Sequence, residues 1–236
     1  MRVTIVNEPP QEVRTFEPDD LAGKLSMDDV ETIREIFHTP LTGSYNWDYD
    51  SANAKIRRLY ELGKKFNWNP TSDIDWDAPC DMNDYPSDAS LSALKGYPEY
   101  EALSEEEKVA FAWKGHAQTM SQFLHGEQGA LLVASQLVSC APTADAKLYA
   151  ASQTFDEARH VEVFNQYLRQ RCGRIYPINK NLKALIDKVL ADERWDLKFI
   201  GMQLIIEGLA LAAFGTTVRT TKDPVLKQIV ELVMRD

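Results

Sequence analysis
The chain has 236 residues, 26 of them basic and 36 acidic, giving a formal net charge of -10 with no Lys/Arg cluster. That length suits one substantial core, and the acidic balance excludes nucleic acid and an anionic membrane surface as expected partners. Three cysteines, Cys80, Cys140 and Cys172, match no zinc or disulfide spacing and point to a reducing, cytoplasmic location. The N-terminal apolar run is too short for a signal peptide, and no later segment holds eighteen uncharged apolar residues, so no membrane span is expected.

Residues 1–25 carry two consecutive prolines and read as an irregular arm. Ser26 then caps a helix with Val30, Ile33, Ile36 and Phe37 at helical spacing, ending near His38. A break at Pro40 and Gly43 leads to a second amphipathic helix near 50–66, with Ile56, Leu59, Tyr60 and Leu62 as its apolar stripe. From Trp68 to Pro86 the chain is rich in Asp, Asn, Pro and Trp, the composition of a long ordered loop, since tryptophans need burial. A short helical piece is expected over 91–100.

Ser104-Glu105-Glu106-Glu107 is a capping box that opens a helix running to about Cys140, roughly 54 Å long at 1.5 Å per residue. Thr143 caps the next helix, which stops at Cys172-Gly173 with glycine in the usual C-terminal position. A short helix over about 180–190 follows. Asp192 is expected to cap a helix running to about Arg219, and Asp223-Pro224 starts the last one with proline in the first turn. The expectation is an all-α, single domain over 1–236, with 1–103 as arm, helices and loop, and 104–236 as bundle helices.

The chemistry-bearing stretch is Asp156-Glu157-x-Arg159-His160, where Glu157 and His160 at i and i+3 share a helix face. Such a pair is half of the metal site of carboxylate-bridged bundles, in which lone glutamates on two helices meet Glu-x-x-His on two others. Sliding the chain on itself by 80 residues pairs Glu127 and Ala130-Leu131 with Glu207 and Ala210-Leu211, Lys147 with Lys227, and Asp156 with Asp236. Two helix hairpins of one design are implied. By that arithmetic a second Glu-x-x-His would follow Asp236, so the expectation is a site lacking its fourth element, with weak, partial or no metal binding. Glu127 and Glu207 lie in apolar stretches, where a buried charge needs a partner. His116 and His125 read as structural.

The series Glu127, Asp156-Glu157-x-Arg159-His160, Glu207 resembles the ferritin-like non-haem di-iron oxidases and oxygenases, which include ribonucleotide reductase small subunits, bacterial multicomponent monooxygenases and arylamine N-oxygenases. The resemblance covers about 104–236 and implies a ferritin-like four-helix bundle preceded by additional N-terminal helices and the long loop. It implies Glu127, Glu157, His160 and Glu207 as metal ligands, with Glu157 bridging. Asp156 and Arg159 would support them: a ligating histidine usually donates its other N–H to a carboxylate, which an arginine can hold. The implied cofactor is two iron ions, with manganese an alternative at one or both positions, because hard carboxylates with few imidazoles suit Fe(II) and Mn(II).

The implied activity is an oxygen-activating oxidoreductase that uses dioxygen, an unidentified electron donor and a small organic substrate; a homodimer is one option left open. Phe123, Ala130, Ala134, Gln153, Phe164, Gln203, Leu211 and Phe214 are the candidate pocket residues, mostly apolar, which favours an apolar or aromatic substrate. Phe164 stands where reductase small subunits carry a radical tyrosine, with Tyr167 expected nearer the surface. Val233 stands where many arylamine N-oxygenases carry a further histidine, which points away from that subtype. The alternatives are a ferroxidase or metal-binding protein without organic substrate, and a metal-free helical scaffold.

Overall fold
The structure, a computed structural model, describes residues 43, 47–51, 53–89 and 92–236. The expected arm over 1–25 and the helix ending near His38 lie outside the described residues. Helix α1 spans Ala54–Lys65, α2 Pro98–Glu101, α3 Glu105–Cys140 and α4 Ala144–Tyr167. After these come α5 at Lys180–Ala191, α6 at Trp195–Phe199, α7 at Glu207–Thr220 and α8 at Pro224–Val233. Two π-helical segments, Leu168–Cys172 and Ile200–Ile206, extend α4 and join α6 to α7. Among the described residues there is no strand, only an isolated bridge between Ser87 and Thr221. The architecture is all-α and ferritin-like, as expected.

Local chemistry sets the boundaries. The Ser104 hydroxyl accepts from Glu107 N at 3.2 Å while the Glu107 carboxylate accepts from Ser104 N at 2.8 Å, so the expected capping box opens α3. Pro142, just past its end, cannot continue the hydrogen-bond ladder. Lys147 on α4 donates to the carbonyls of Val138 and Ser139, satisfying the last turn of α3. Buried Lys198 does the same for α5 through Val189 and Leu190. Asp192 differs from expectation: it follows α5 as its C-terminal residue, and its side chain accepts from Arg194 N rather than capping α6. Gly173 closes the π segment at φ 70°, with its N–H on Leu168 O. The helical piece expected over 91–100 narrows to Pro98–Glu101.

α3 and α4 form the antiparallel pair at the centre, with α1 on the outer side of α4 and α5 against α3. Gly129 lets α5 come close, because a Cβ there would lie 2.8 Å from Ile186 Cδ1. α8 buries Val225, Leu226, Ile229, Val230 and Val233 on one face. Two apolar clusters result, one around Phe164, Tyr167, Leu226 and Ile229, the other around Val133, Leu137, Ile186 and Met202. Along α3, Glu127 falls between Leu124 of the first cluster and Ala130 of the second, so a polar layer separates them.

The Trp68–Pro86 loop is fastened at several points. Arg171 donates to the carbonyls of Trp76 and Ala78, Gln228 to Asp73 O, and Lys222 N to Pro86 O. Trp68 and Ile74 sit in the first apolar cluster. The loop therefore has the order its tryptophans suggested. The helical run Trp195–Thr220 is long and apolar enough to cross a membrane by length and composition, a test that core helices of soluble proteins also pass. Its outer face exposes Leu204, Ile205, Leu209 and Leu211, while Glu207 in its middle is half-buried.

Candidate metal centre
Three buried side chains converge in the polar layer. α3 supplies Glu127, and α4 supplies Glu157 and His160 one turn apart. His160 Nδ1 lies 3.1 Å from Glu127 Oε2 and 3.3 Å from Glu157 Oε2. One ligand atom from each residue lies within 4.8 Å of the other two, and among the described residues this is the group able to hold a metal ion. Glu127 stands 30 residues before Glu157, which the α3–α4 turn returns to the same level.

Glu207 opens α7 and is half-buried, outside that tight trio but close enough for its charge to interact with Glu157 and His160. Burial, with Glu157 nearby, pushes its carboxyl up to about 7. Burial likewise raises Glu157 to about 7, with the Glu127 charge adding to it and the His160 hydrogen bond opposing it. For His160, burial lowers the pKa, but hydrogen bonds to Asp236, Glu127 and Glu157 outweigh it and hold the imidazole well above its usual value. Acceptors flank both ring nitrogens, so an imidazolium can donate at each. Without a cation, protons must do what a metal ion does: separate clustered carboxylates.

The surrounding shell differs from expectation in one respect: the carboxylate facing His160 Nε2 is Asp236, not Asp156. Arg159 pairs with Asp156, whose carboxyl burial raises to about 6 against the pull of Arg159. Arg159 also reaches Asp236 Oδ2 at 3.2 Å and Trp68 O at 3.0 Å. Asp236, not among the expected site residues, lies 3.3 Å from His160 Nε2 and accepts from Trp68 Nε1 at 2.7 Å. The 80-residue repeat held the signal, since it pairs Asp236 with Asp156.

The expected pocket residues separate into layers. Phe123, Phe164 and Phe214 pack ring on ring, Phe123 and Phe214 edge-on at 4.8 Å between centroids. Gln153 donates to Gln203 Oε1 at 2.7 Å and lies 3.4 Å from Glu157 Oε1. Ala130 and Ala134 are buried, and Leu211 is 47% exposed on the outer face of α7. Tyr167 differs from expectation: it is fully buried, its hydroxyl donating to Asp223 Oδ2 at 3.0 Å with His116 Nε2 at 2.9 Å. Two turns past His160, it falls in the first apolar cluster instead of emerging from the bundle. His125 Nε2 bonds Tyr176 O, so both spare histidines have structural partners.

The family model described as P-aminobenzoate N-oxygenase AurF matches residues 50–203. The chain belongs to the p-aminobenzoate N-oxygenase AurF family. Comparison with curated proteins and with solved structures gives no match. The AurF match includes Glu127, Glu157 and His160, along with the Trp68–Pro86 loop, and ends before Glu207. The matched residues end before Val233, so the match does not bear on the subtype inference drawn from that position. Val233 packs in the first apolar cluster.

The donor set fits a divalent cation of the iron–manganese type: two carboxylates and one imidazole converge, and the second imidazole nitrogen is tied to a carboxylate, which fixes ring orientation. AurF family membership and this donor set agree on a carboxylate-rich metal centre.

Proposed function
We propose that this protein is a non-haem di-iron oxygenase that oxidises the nitrogen of an aromatic amine, with Glu127, Glu157, His160 and Glu207 as ligands from the described helices. The observation that carries this reading is the buried Glu127–Glu157–His160 trio, with His160 Nδ1 directed at both carboxylates. The substrate class follows from the description of the matching family. Bound iron would supply the electrons and coordination positions that activate dioxygen.

The chain's own residues have definable parts. Glu127 and Glu157, from facing helices, would hold one ion between them, and Glu207 would serve a second. With metal bound, Asp236 would accept the His160 Nε2 proton, which leaves Nδ1 free to bind the ion. Arg159 balances the charge of Asp156 and Asp236 beside the site. The three phenylalanines form an apolar wall that excludes water and offers ring surfaces to an aromatic substrate.

Anaerobic loading with two equivalents of Fe(II), then admission of oxygen with p-aminobenzoate and a reductant, tests the reading. Mass spectrometry should find N-hydroxylated or nitro product that depends on protein, iron and oxygen. Oxygen uptake with iron alone, unaffected by any aromatic amine, would select a ferroxidase instead.

A further inference from the structure
The bonds around Asp236 join the metal centre to a part of the chain far from it in sequence. Asp236 Oδ2 has three donors, of which the Trp68 indole N–H is the shortest at 2.7 Å, ahead of Arg159 at 3.2 Å and His160 Nε2 at 3.3 Å. Trp68 is 4% exposed and opens the Trp68–Pro86 loop. Its main-chain carbonyl accepts from Arg159 Nη1, and the Arg159 guanidinium lies 4.9 Å over its ring. The indole also stacks on the His160 ring, with centroids 6.3 Å apart and planes 19° from parallel. One residue of the loop therefore touches the imidazole, its acceptor and the arginine holding that acceptor.

A packing tryptophan needs only its ring buried. Here the N–H is aimed at the carboxylate oxygen that faces His160 Nε2. A buried carboxylate pulled toward the indole is held where His160 Nε2 must face it, which turns Nδ1 toward Glu127 and Glu157.

We infer that Trp68 is a positioning residue for the metal centre: through Asp236 it fixes the orientation and tautomer of His160, and thereby links docking of the Trp68–Pro86 loop to metal affinity. The inference rests on the metal reading above. Linkage makes the effect reciprocal, so metal binding holds the loop down as firmly as the docked loop favours metal. The loop's other fastenings, from Arg171, Gln228, Lys222 and Trp113, involve none of His160, Asp236 and Arg159, so Trp68 is the residue through which the loop acts on the site.

Trp68→Phe keeps an aromatic ring and removes the N–H. Trp76→Phe is the matched control, because the Trp76 indole donates at 2.8 Å to Pro70 O within the same loop. Titration of each metal-free protein with Co(II), followed by visible ligand-field absorption, reads affinity and coordination together, while thermal melts in chelator read the fold. The expected result is a Co(II) dissociation constant raised tenfold or more in Trp68→Phe, with a shifted absorption band, and an unchanged constant and band in Trp76→Phe. Unchanged binding in Trp68→Phe overturns the inference, and so does equal weakening in both variants, which would mark a general effect of the loop. If Trp68→Phe does not fold, Asp236→Asn replaces it: the amide oxygen can still accept from the indole but its NH2 opposes the Nε2–H tautomer, and unweakened Co(II) binding there overturns the inference. Failure of the unsubstituted protein to bind Co(II) or Fe(II) would overturn the metal reading first, a result distinct from any difference between variants.

Discussion

Two buried polar clusters occupy the bundle and solve the same electrostatic problem in different ways. At Glu127, Glu157, His160 and Glu207, acids outnumber bases, and burial with mutual repulsion pushes Glu157 and Glu207 up to about 7. At His116, Tyr167 and Asp223, seven residues further along α4 from His160, one carboxylate meets the Tyr167 hydroxyl, with Arg171 4.0 Å away. There burial lowers His116 to about 4 and leaves it neutral, and Asp223 also caps α8 through Val225 N. Cys80 and Cys172, near Asp223, are raised to about 11 and about 12, chiefly by burial, and so remain thiols. The second cluster satisfies its one carboxylate within the protein, through the Tyr167 hydroxyl, Val225 N and the Arg171 charge, although Arg171 Nε itself has no hydrogen-bond partner. The first is complete only with added positive charge, either protons or metal, and that difference separates a structural polar network from a binding site.

The largest effect that would break this contrast is at Glu157. Glu157→Gln should lower affinity for Fe(II) or Mn(II) more than a hundredfold, yet stabilise the metal-free protein at pH 8, because it removes a carboxylate that burial disfavours. Glu162→Ala, exposed on the same helix, should change neither quantity. Metal analysis by mass spectrometry and urea unfolding in chelator check both. Loss of metal together with loss of metal-free stability would mean that Glu157 is structural, like Asp223.

Next in size is Tyr167→Phe, which removes the hydroxyl between His116 and Asp223 and should cost about 1–3 kcal/mol of stability. Metal affinity should not change. A concentration-dependent metal shift in this variant would show that the two clusters act as one.

The pH dependence of the metal-free protein gives the smallest change at any single step, and the two clusters should bend it in opposite directions. For Glu157 and Glu207 the folded value of about 7 lies above the ordinary 4.5, so their contribution to stability is fully present below 4.5 and lost as pH rises through 7. For His116 the folded value of about 4 lies below the ordinary 6.5, so its contribution is fully present above 6.5 and lost as pH falls through 4. Glu207→Gln should flatten the loss toward neutral pH, and His116→Asn the loss toward acid. Denaturant midpoints between pH 4 and 8 measure both.

The readable parts of this molecule were those governed by local or periodic rules. The Ser104 capping box, the Asp223-Pro224 start and the Gly173 stop all fall where sequence placed them, and the i, i+3 spacing brings Glu157 and His160 to one face. Less legible were features set by tertiary contact. Nothing local marks Ile200–Ile206 as π-helical, although that widened turn sets the phase at which Glu207 follows Gln203. Tyr167 is buried because Asp223 and His116, distant in sequence, supply its hydrogen bonds. The roles of Trp68 and Asp236 depend on a contact across 168 positions, which no spacing rule encodes. Asp236 could have been read from the repeat, whereas Trp68 carried only the signal that a tryptophan in a polar loop must be buried somewhere.

The most direct test of the central claim is a crystal of the protein soaked in Mn(II) or, anaerobically, in Fe(II), with anomalous diffraction recorded at the metal edge. A peak within bonding distance of His160 Nδ1 and of carboxylate oxygens from Glu127 and Glu157, with none at His116–Tyr167–Asp223, is the predicted result. An empty trio at saturating metal, or a peak at the second cluster instead, would contradict it.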